Sequence, residues 1–290
     1  MATNPLERLS PEQIEEIGRE FQQLHDEVFE SLGDRDARYI RSLIALHRKL
    51  AVGGRVLLLP SLAPPAWLAG TIVLSLAKIL ENMEIGHNVM HGQWDWMNDP
   101  VINSQVWDWD TASTKEAWKH SHNFIHHTYT NVLGLDRDLG YEIMRIDPEQ
   151  EWHPIYLLQP LYNLLLMAFF EWGVALHDLD FTAARSGEKS WLQVAKDFNG
   201  ILGKARRQIT KDYILWPLLS GPSFVTTLAA NFTANVIRNV WAYPIIICGQ
   251  LPDQTYTFTR EQFENETEGG RLVRQLLGAA NIDGSRCFTC

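Results

Sequence analysis

The sequence predicts an all-α protein, with membrane-embedded helical hairpins beneath a cytosolic helical cap that carries a histidine-rich metal site. Three observations lead there. Two long apolar stretches, 56–80 and 213–249, are interrupted by prolines, which suits hairpins better than straight rods. The 290 residues are 46% hydrophobic and 21% charged, with 11 Trp and 8 Tyr, and mean hydropathy is −0.17. That is too polar for a chain lying mostly in lipid, so part of it faces water, with aromatic rings suited to the boundary. Third, six of the ten histidines fall between Glu81 and Asp138.

Those six are His87, His91, His120, His122, His126 and His127. On a helix an i,i+4 pair projects from one face, so His87 with His91, and His122 with His126, each form a bidentate grip. His127 turns roughly 100° further round and can offer a nitrogen to a second metal. A lone pair of this kind is common and usually says nothing. Two groups about 30 residues apart, the second ending in a doublet, do not read as packing. A zinc protease needs Glu after the first histidine, where Asn88 and Asn123 stand. A ferritin-like site needs two Glu-x-x-His motifs, and only Glu84 with His87 supplies one. The donor set is nitrogen-rich and carboxylate-poor.

His87-x-x-x-His91 and His122-x-x-x-His126-His127 resemble the first two histidine boxes of the membrane fatty acid desaturases. The words around them, Gly-His-Asn-Val-Met-His-Gly-Gln, His-His-Thr-Tyr-Thr-Asn and Asp136-Arg137-Asp138, resemble the actinobacterial acyl-CoA desaturases, and the similarity runs from about residue 35 to 286. The resemblance implies two iron ions that activate O2 to remove two hydrogens from an acyl chain. It implies His87, His91, His122, His126 and His127 as ligands. His120 lies outside the box spacing and is a bystander or an outer-shell residue.

In chain order, Ser10 as N-cap and Pro11 at the first position start a surface helix carrying Ile14, Ile17, Phe21, Leu24, Val28 and Leu32 at helical spacing. A second amphipathic helix over 36–50 bears His47 in a structural role. Residues 56–80 hold one ionisable group, Lys78, with Pro60, Pro64 and Pro65 marking a turn. Spans are expected at 47–62 and 66–86, the second delivering Glu84, His87 and His91 at its water-facing end. Trp94, Trp96, Trp107 and Trp109 line an acyl tunnel or form an interfacial belt. Residues 112–131 form the helix of the second box, and Asp138 is either an outer-shell partner or a solvated loop charge.

Residues 154–176, apolar but for Glu171, are expected to lie along the membrane face. The basic stretch 182–212 marks a cytoplasmic side and suits acyl-CoA phosphates or anionic headgroups. A second hairpin is expected at 213–230 and 232–249. From the resemblance, Asn239 is a candidate for an outer-shell or water-bridged contact, while Tyr243 and Gln250 stand where relatives carry histidine. Arg274-Gln-Leu-Leu-Gly278-Ala-Ala-Asn281 again resembles the family, which continues into a third box of the type Gln-x-x-His-His. No histidine follows His177 here. Truncation before that box is the expectation, with a divergent member that has lost the site as the other reading.

The expected organisation is N-terminal cytosolic helices over 1–50, a desaturase domain over 51–286 and an aberrant tail over 287–290. Net charge is −10, which excludes nucleic acid as partner. Three Cys are too few for a disulfide scaffold, and Cys287-x-x-Cys290 is read as chance. No signal peptide is visible at the polar N-terminus. The resemblance implies an integral protein of the bacterial cell membrane with its site on the cytoplasmic side. It would act on a long-chain fatty acyl-CoA or acyl lipid with O2, drawing electrons from a ferredoxin or cytochrome b5-like protein with its reductase. The rivals are a catalytically dead desaturase-like membrane protein and a lipid or alkyl hydroxylase of the same superfamily.

Overall fold

The structure, a computed structural model, describes residues 5–148, 150–250 and 255–279. The tail, with its Cys-x-x-Cys and the end of the family-like run at Asn281, lies outside the described residues. Among the described residues the regular structure is helical, apart from an isolated parallel bridge between Val132 and Phe258. The longer helices are α1 (Pro11–Ser31), α2 (Asp34–Leu58), α3 (Pro64–Ile79), α4 (Gln159–Ala168), α5 (Phe170–His177), α6 (Trp191–Ile209), α7 (Phe224–Gln250) and α8 (Glu268–Leu277). Two compact units form: one of residues 1–36, 120–157 and 244–290, the other of residues 37–119 and 158–243.

In the first unit, α1 opens as its sequence predicts. Gln13 N donates to Ser10 Oγ, Ser10 N donates to the Gln13 side chain, and Pro11 takes the first turn. α1 and α8 cross almost backbone to backbone. A Cβ on Gly18 would fall 2.5 Å from Gly269 Cα, and one on Gly269 would fall 2.8 Å from Ile14 O. Only glycine permits that approach.

In the second unit, α2 and α3 make the expected hairpin, turning at 59–63 with Pro64 opening α3. Gly54 lies against the backbone of Leu74, and Gly70 against the Leu58 side chain. α7 packs on this hairpin through Leu58, Leu74, Ala230 and Ala234. Hydrogen bonds from Trp67 Nε1 to Thr226 O at 3.0 Å and from Thr227 Oγ1 to Leu58 O at 3.1 Å fix the contact.

The second hairpin departs from expectation. Its turn falls at Ser220–Ser223, where Gly221 sits at φ 54° before Pro222, and α7 then runs unbroken past residue 231. Asn231 does not interrupt α7, because its amide donates to Thr227 O one turn back at 3.1 Å. The 154–176 stretch is likewise two helices, α4 and α5, broken at Phe169.

Among the described residues no helix is long and apolar enough to cross a membrane. The stretches expected to span carry buried ions instead of an unbroken apolar surface. Lys78 Nζ pairs with Asp212 at 2.7 Å, Arg55 with Asp212 at 3.3 Å, and Arg238 with Glu171 at 2.5 Å. Gln208 donates to Glu171 at 3.0 Å. These pairs tie α2, α3, α5, α6 and α7 together, since a buried charge needs a partner.

Candidate metal centre

The first histidine group sits where α3 changes register. α3 passes into a π-helical segment, Leu80–His87, followed by a turn over Asn88–Met90 with His91 at its end. Such i→i+5 turns are rare and concentrate at functional sites. Ile85 and Val89 anchor the segment in a core with Ile40, Ile44 and Ile102. A Cβ on Gly86 would meet Glu81 O at 2.8 Å and the Trp109 side chain at 3.1 Å, so glycine is needed there. His87 Nε2 and His91 Nε2 lie 3.0 Å apart, and both rings stand edge-on to Trp118, at 5.5 and 5.3 Å. Two ring nitrogens at that distance share a proton or point their lone pairs at one cation.

The second group also lies on a π-helical segment, Lys119–His126, entered from a Thr114-capped turn at Lys115–Trp118 and left through His127–Tyr129. Each of two rings has a carboxylate behind it. His122 Nδ1 is 2.8 Å from Asp138 Oδ2, and His126 Nδ1 is 3.0 and 2.9 Å from the two Asp136 oxygens. Asp136 is held in turn by the backbone N–H of Asn131 at 2.8 Å and of Asp138 at 3.0 Å. The His122 and His126 rings stack at 5.0 Å, with the His127 ring 5.1 and 5.2 Å from them. Donor atoms of His122, His126 and Asp138 lie within 4.8 Å of one another.

Burial, then the neighbouring imidazoles, hold the His122 pKa well below its ordinary value. Burial also lowers that of His127. Burial alone would lower His126 too, but the Asp136 hydrogen bond and charge outweigh it and raise the value. With Nδ1–H donated to a carboxylate, each ring keeps Nε2 as a lone-pair donor, the usual outer-shell device of metal-binding histidines.

His87 and His91 converge within one unit, and His122, His126, His127 and Asp138 within the other. His120 is exposed and stacks on Phe124 at 5.9 Å, apart from that cluster. The Asn239 amide donates to Ala168 O at 3.0 Å and accepts from Arg238 at 3.0 Å. The Tyr243 hydroxyl bonds Asn163. Gln250, in contrast, brings Nε2 to 3.1 Å from His126 Nδ1. Asp136 was not singled out as an outer-shell residue from sequence, although its place two residues before Asp138 was a usable signal.

Within the second group alone, three imidazoles, two of them with Nδ1 held by aspartate, make a nitrogen-rich donor set that could hold a transition-metal ion.

A family model described as "Fatty acid desaturase" matches residues 63–278. The NADPH-dependent stearoyl-CoA 9-desaturase of Mycobacterium tuberculosis is 44% identical over 279 residues, covering 95% of this chain and 65% of that protein. The sn-1 linoleoyl-lipid 6-desaturase of Synechocystis is 31% identical over 150 residues, 50% of this chain and 41% of its own length. The acyl-lipid (8-3)-desaturase of Mortierella alpina is 23% identical over 134 residues, 43% and 29% of the two chains. This chain thus spans about two thirds or less of the length of these relatives. No solved structure matches.

Proposed function

Since the chain belongs to the fatty acid desaturase family, on its actinobacterial side, we propose that it serves the O2-dependent introduction of a double bond into a long-chain fatty acyl-CoA. Stearoyl-CoA is the substrate in the name of its mycobacterial relative, and the 9-position follows from the same name. The observation that carries this reading is the pair of carboxylate-backed rings, Asp138 with His122 and Asp136 with His126. Two hydrogens leave adjacent methylenes. O2 takes them, with two electrons and two protons, and ends as two waters.

His87, His91, His122, His126 and His127 would hold two iron ions, which when bound supply the oxidant that an unactivated C–H bond requires and that redox-inert zinc does not. Asp136 and Asp138 hold the Nδ1 protons, so that His126 and His122 present Nε2 in a fixed tautomer. The electrons come from NADPH, in keeping with the relative's name, by way of a ferredoxin or cytochrome b5-like protein and its reductase.

We place the protein in the bacterial cell membrane with its metal site on the cytoplasmic side. Exposed apolar residues support this. Leu59, Leu62 and Leu68 lie at one hairpin tip, Leu218, Leu219 and Val225 at the other, and Leu161, Leu164 and Leu165 along α4. Patches of this kind mark contact with lipid or another partner. The basic side chains of α6 then lie at the headgroups.

Iron analysis of the purified protein, with gas chromatography–mass spectrometry of host lipids, tests the reading. Bound iron and a new double bond are expected; neither iron nor a double bond would overturn it. The same experiment separates a second reading, a desaturase-fold protein without turnover. Iron bound without any new double bond would favour it. Appearance of a hydroxylated lipid would favour the hydroxylase reading instead.

A further inference from the structure

We propose that Arg274 and Gln275 of α8 are positioning residues that hold the second histidine group from behind, through its backbone. The inference rests on reading that group as metal-holding. Arg274 is 1% exposed, among the most buried side chains described. Its Nε and Nη2 meet the Glu266 carboxylate at 2.7 and 2.9 Å. The same guanidinium donates from Nη1 to Thr130 O at 2.7 Å and from Nη2 to Thr128 O at 3.0 Å. The next residue, Gln275, donates from Nε2 to His127 O at 2.9 Å. Phe263 covers the guanidinium with its ring centroid 5.3 Å from Cζ.

Three carbonyls at the end of the histidine-bearing segment, His127, Thr128 and Thr130, are therefore taken by one short helix. The last carbonyls of any helix lack partners within it, and a planar guanidinium can meet two of them and a carboxylate at once. The hold continues into the metal-facing side. The Asn131 side chain donates to Gly278 O at 2.9 Å and Tyr256 O at 3.1 Å, while its backbone N–H donates to Asp136, whose carboxylate fixes His126 Nδ1. α8 is itself fixed by the glycine crossing on α1. A buried ion pair alone is a weak source of stability. What distinguishes this one is that half of its donors go to the backbone of a histidine segment.

Cobalt(II) titration of the purified 290-residue chain, followed by its d–d absorption, tests the proposal with no need for turnover. Arg274→Ala is expected to bind cobalt about 10- to 100-fold more weakly, as losses behind metal ligands generally do, with altered bands. Arg274→Lys, which keeps the charge but not the fork, recovers only part of the affinity. Gln275→Ala, at an exposed bond, gives a smaller loss in the same direction. Leu276→Ala, on the same helix and 49% exposed, serves as the control and binds as wild type does. Folded Arg274→Ala with wild-type affinity and bands would overturn the proposal, as would an equal loss in Leu276→Ala. If Arg274→Ala does not fold, wild-type bands and affinity in both Arg274→Lys and Gln275→Ala overturn it. Wild-type chain that takes up no cobalt overturns the metal reading itself, and this inference with it.

Discussion

Asp136 and Asp138 follow the second histidine group by ten and sixteen residues in their bonded pairs, yet both end beneath its rings. Of the two, only Asp138 is suggested as an outer-shell residue by the sequence. Which loop carboxylate folds back depends on Asn131, whose φ of 57° turns the chain and aims its N–H at Asp136. Residue order does not reveal that turn. The histidine boxes were legible because spacing and residue type carry them. His120, which spacing set apart, stacks on Phe124, whereas the approach of Gln250 to His126 across 124 residues left no local pattern. Asp136→Asn and Asp138→Asn should each lower metal affinity by about 10- to 100-fold with the far-UV circular dichroism unchanged; isothermal titration with cobalt measures it. Away from the metal, Glu171→Ala strands the buried Arg238 guanidinium. A loss of about 3–5 kcal/mol in denaturant stability is expected, and a loss below 1 kcal/mol would mean that water reaches the arginine.

Helix starts and turns were the most legible elements, because they are written in short-range chemistry. Ser10-Pro11 and the prolines at 60, 64 and 65 act where they stand. The second turn was misplaced by about ten residues, since polar Asn235 resembles a break until its partner, the Tyr213 hydroxyl at 2.8 Å, is known. The π-helical segments under both histidine groups were illegible, because an i→i+5 register leaves no mark on apolar periodicity. Close helix crossings also hide in sequence as ordinary glycines. Gly269→Ala pushes a methyl group against Ile14 O and should cost about 1–3 kcal/mol of thermal stability. Because α8 carries Arg274, the same variant should weaken cobalt binding, and unchanged binding would mean that α8 keeps its place without the α1 contact.

For the whole molecule, hydropathy along the chain overstated how apolar the long helices are: among the described residues none is long and apolar enough to cross a membrane. Lys78 and Arg238 lie inside stretches that hydropathy reads as spans, and they are neutralised by Asp212 and Glu171, which lie outside those stretches. If the exposed leucines at the hairpin tips meet lipid, Leu62→Glu and Leu218→Glu together should shift the protein from the carbonate-washed membrane fraction to the supernatant. Unchanged partition would place lipid contact elsewhere. The central claim concerns what the imidazoles hold, and X-ray absorption at the iron edge of the iron-loaded chain addresses it most directly. Multiple scattering from several imidazole rings is expected in the wild type and should fall in His122→Ala/His126→Ala. A shell of water oxygens alone, the same in both proteins, would contradict it.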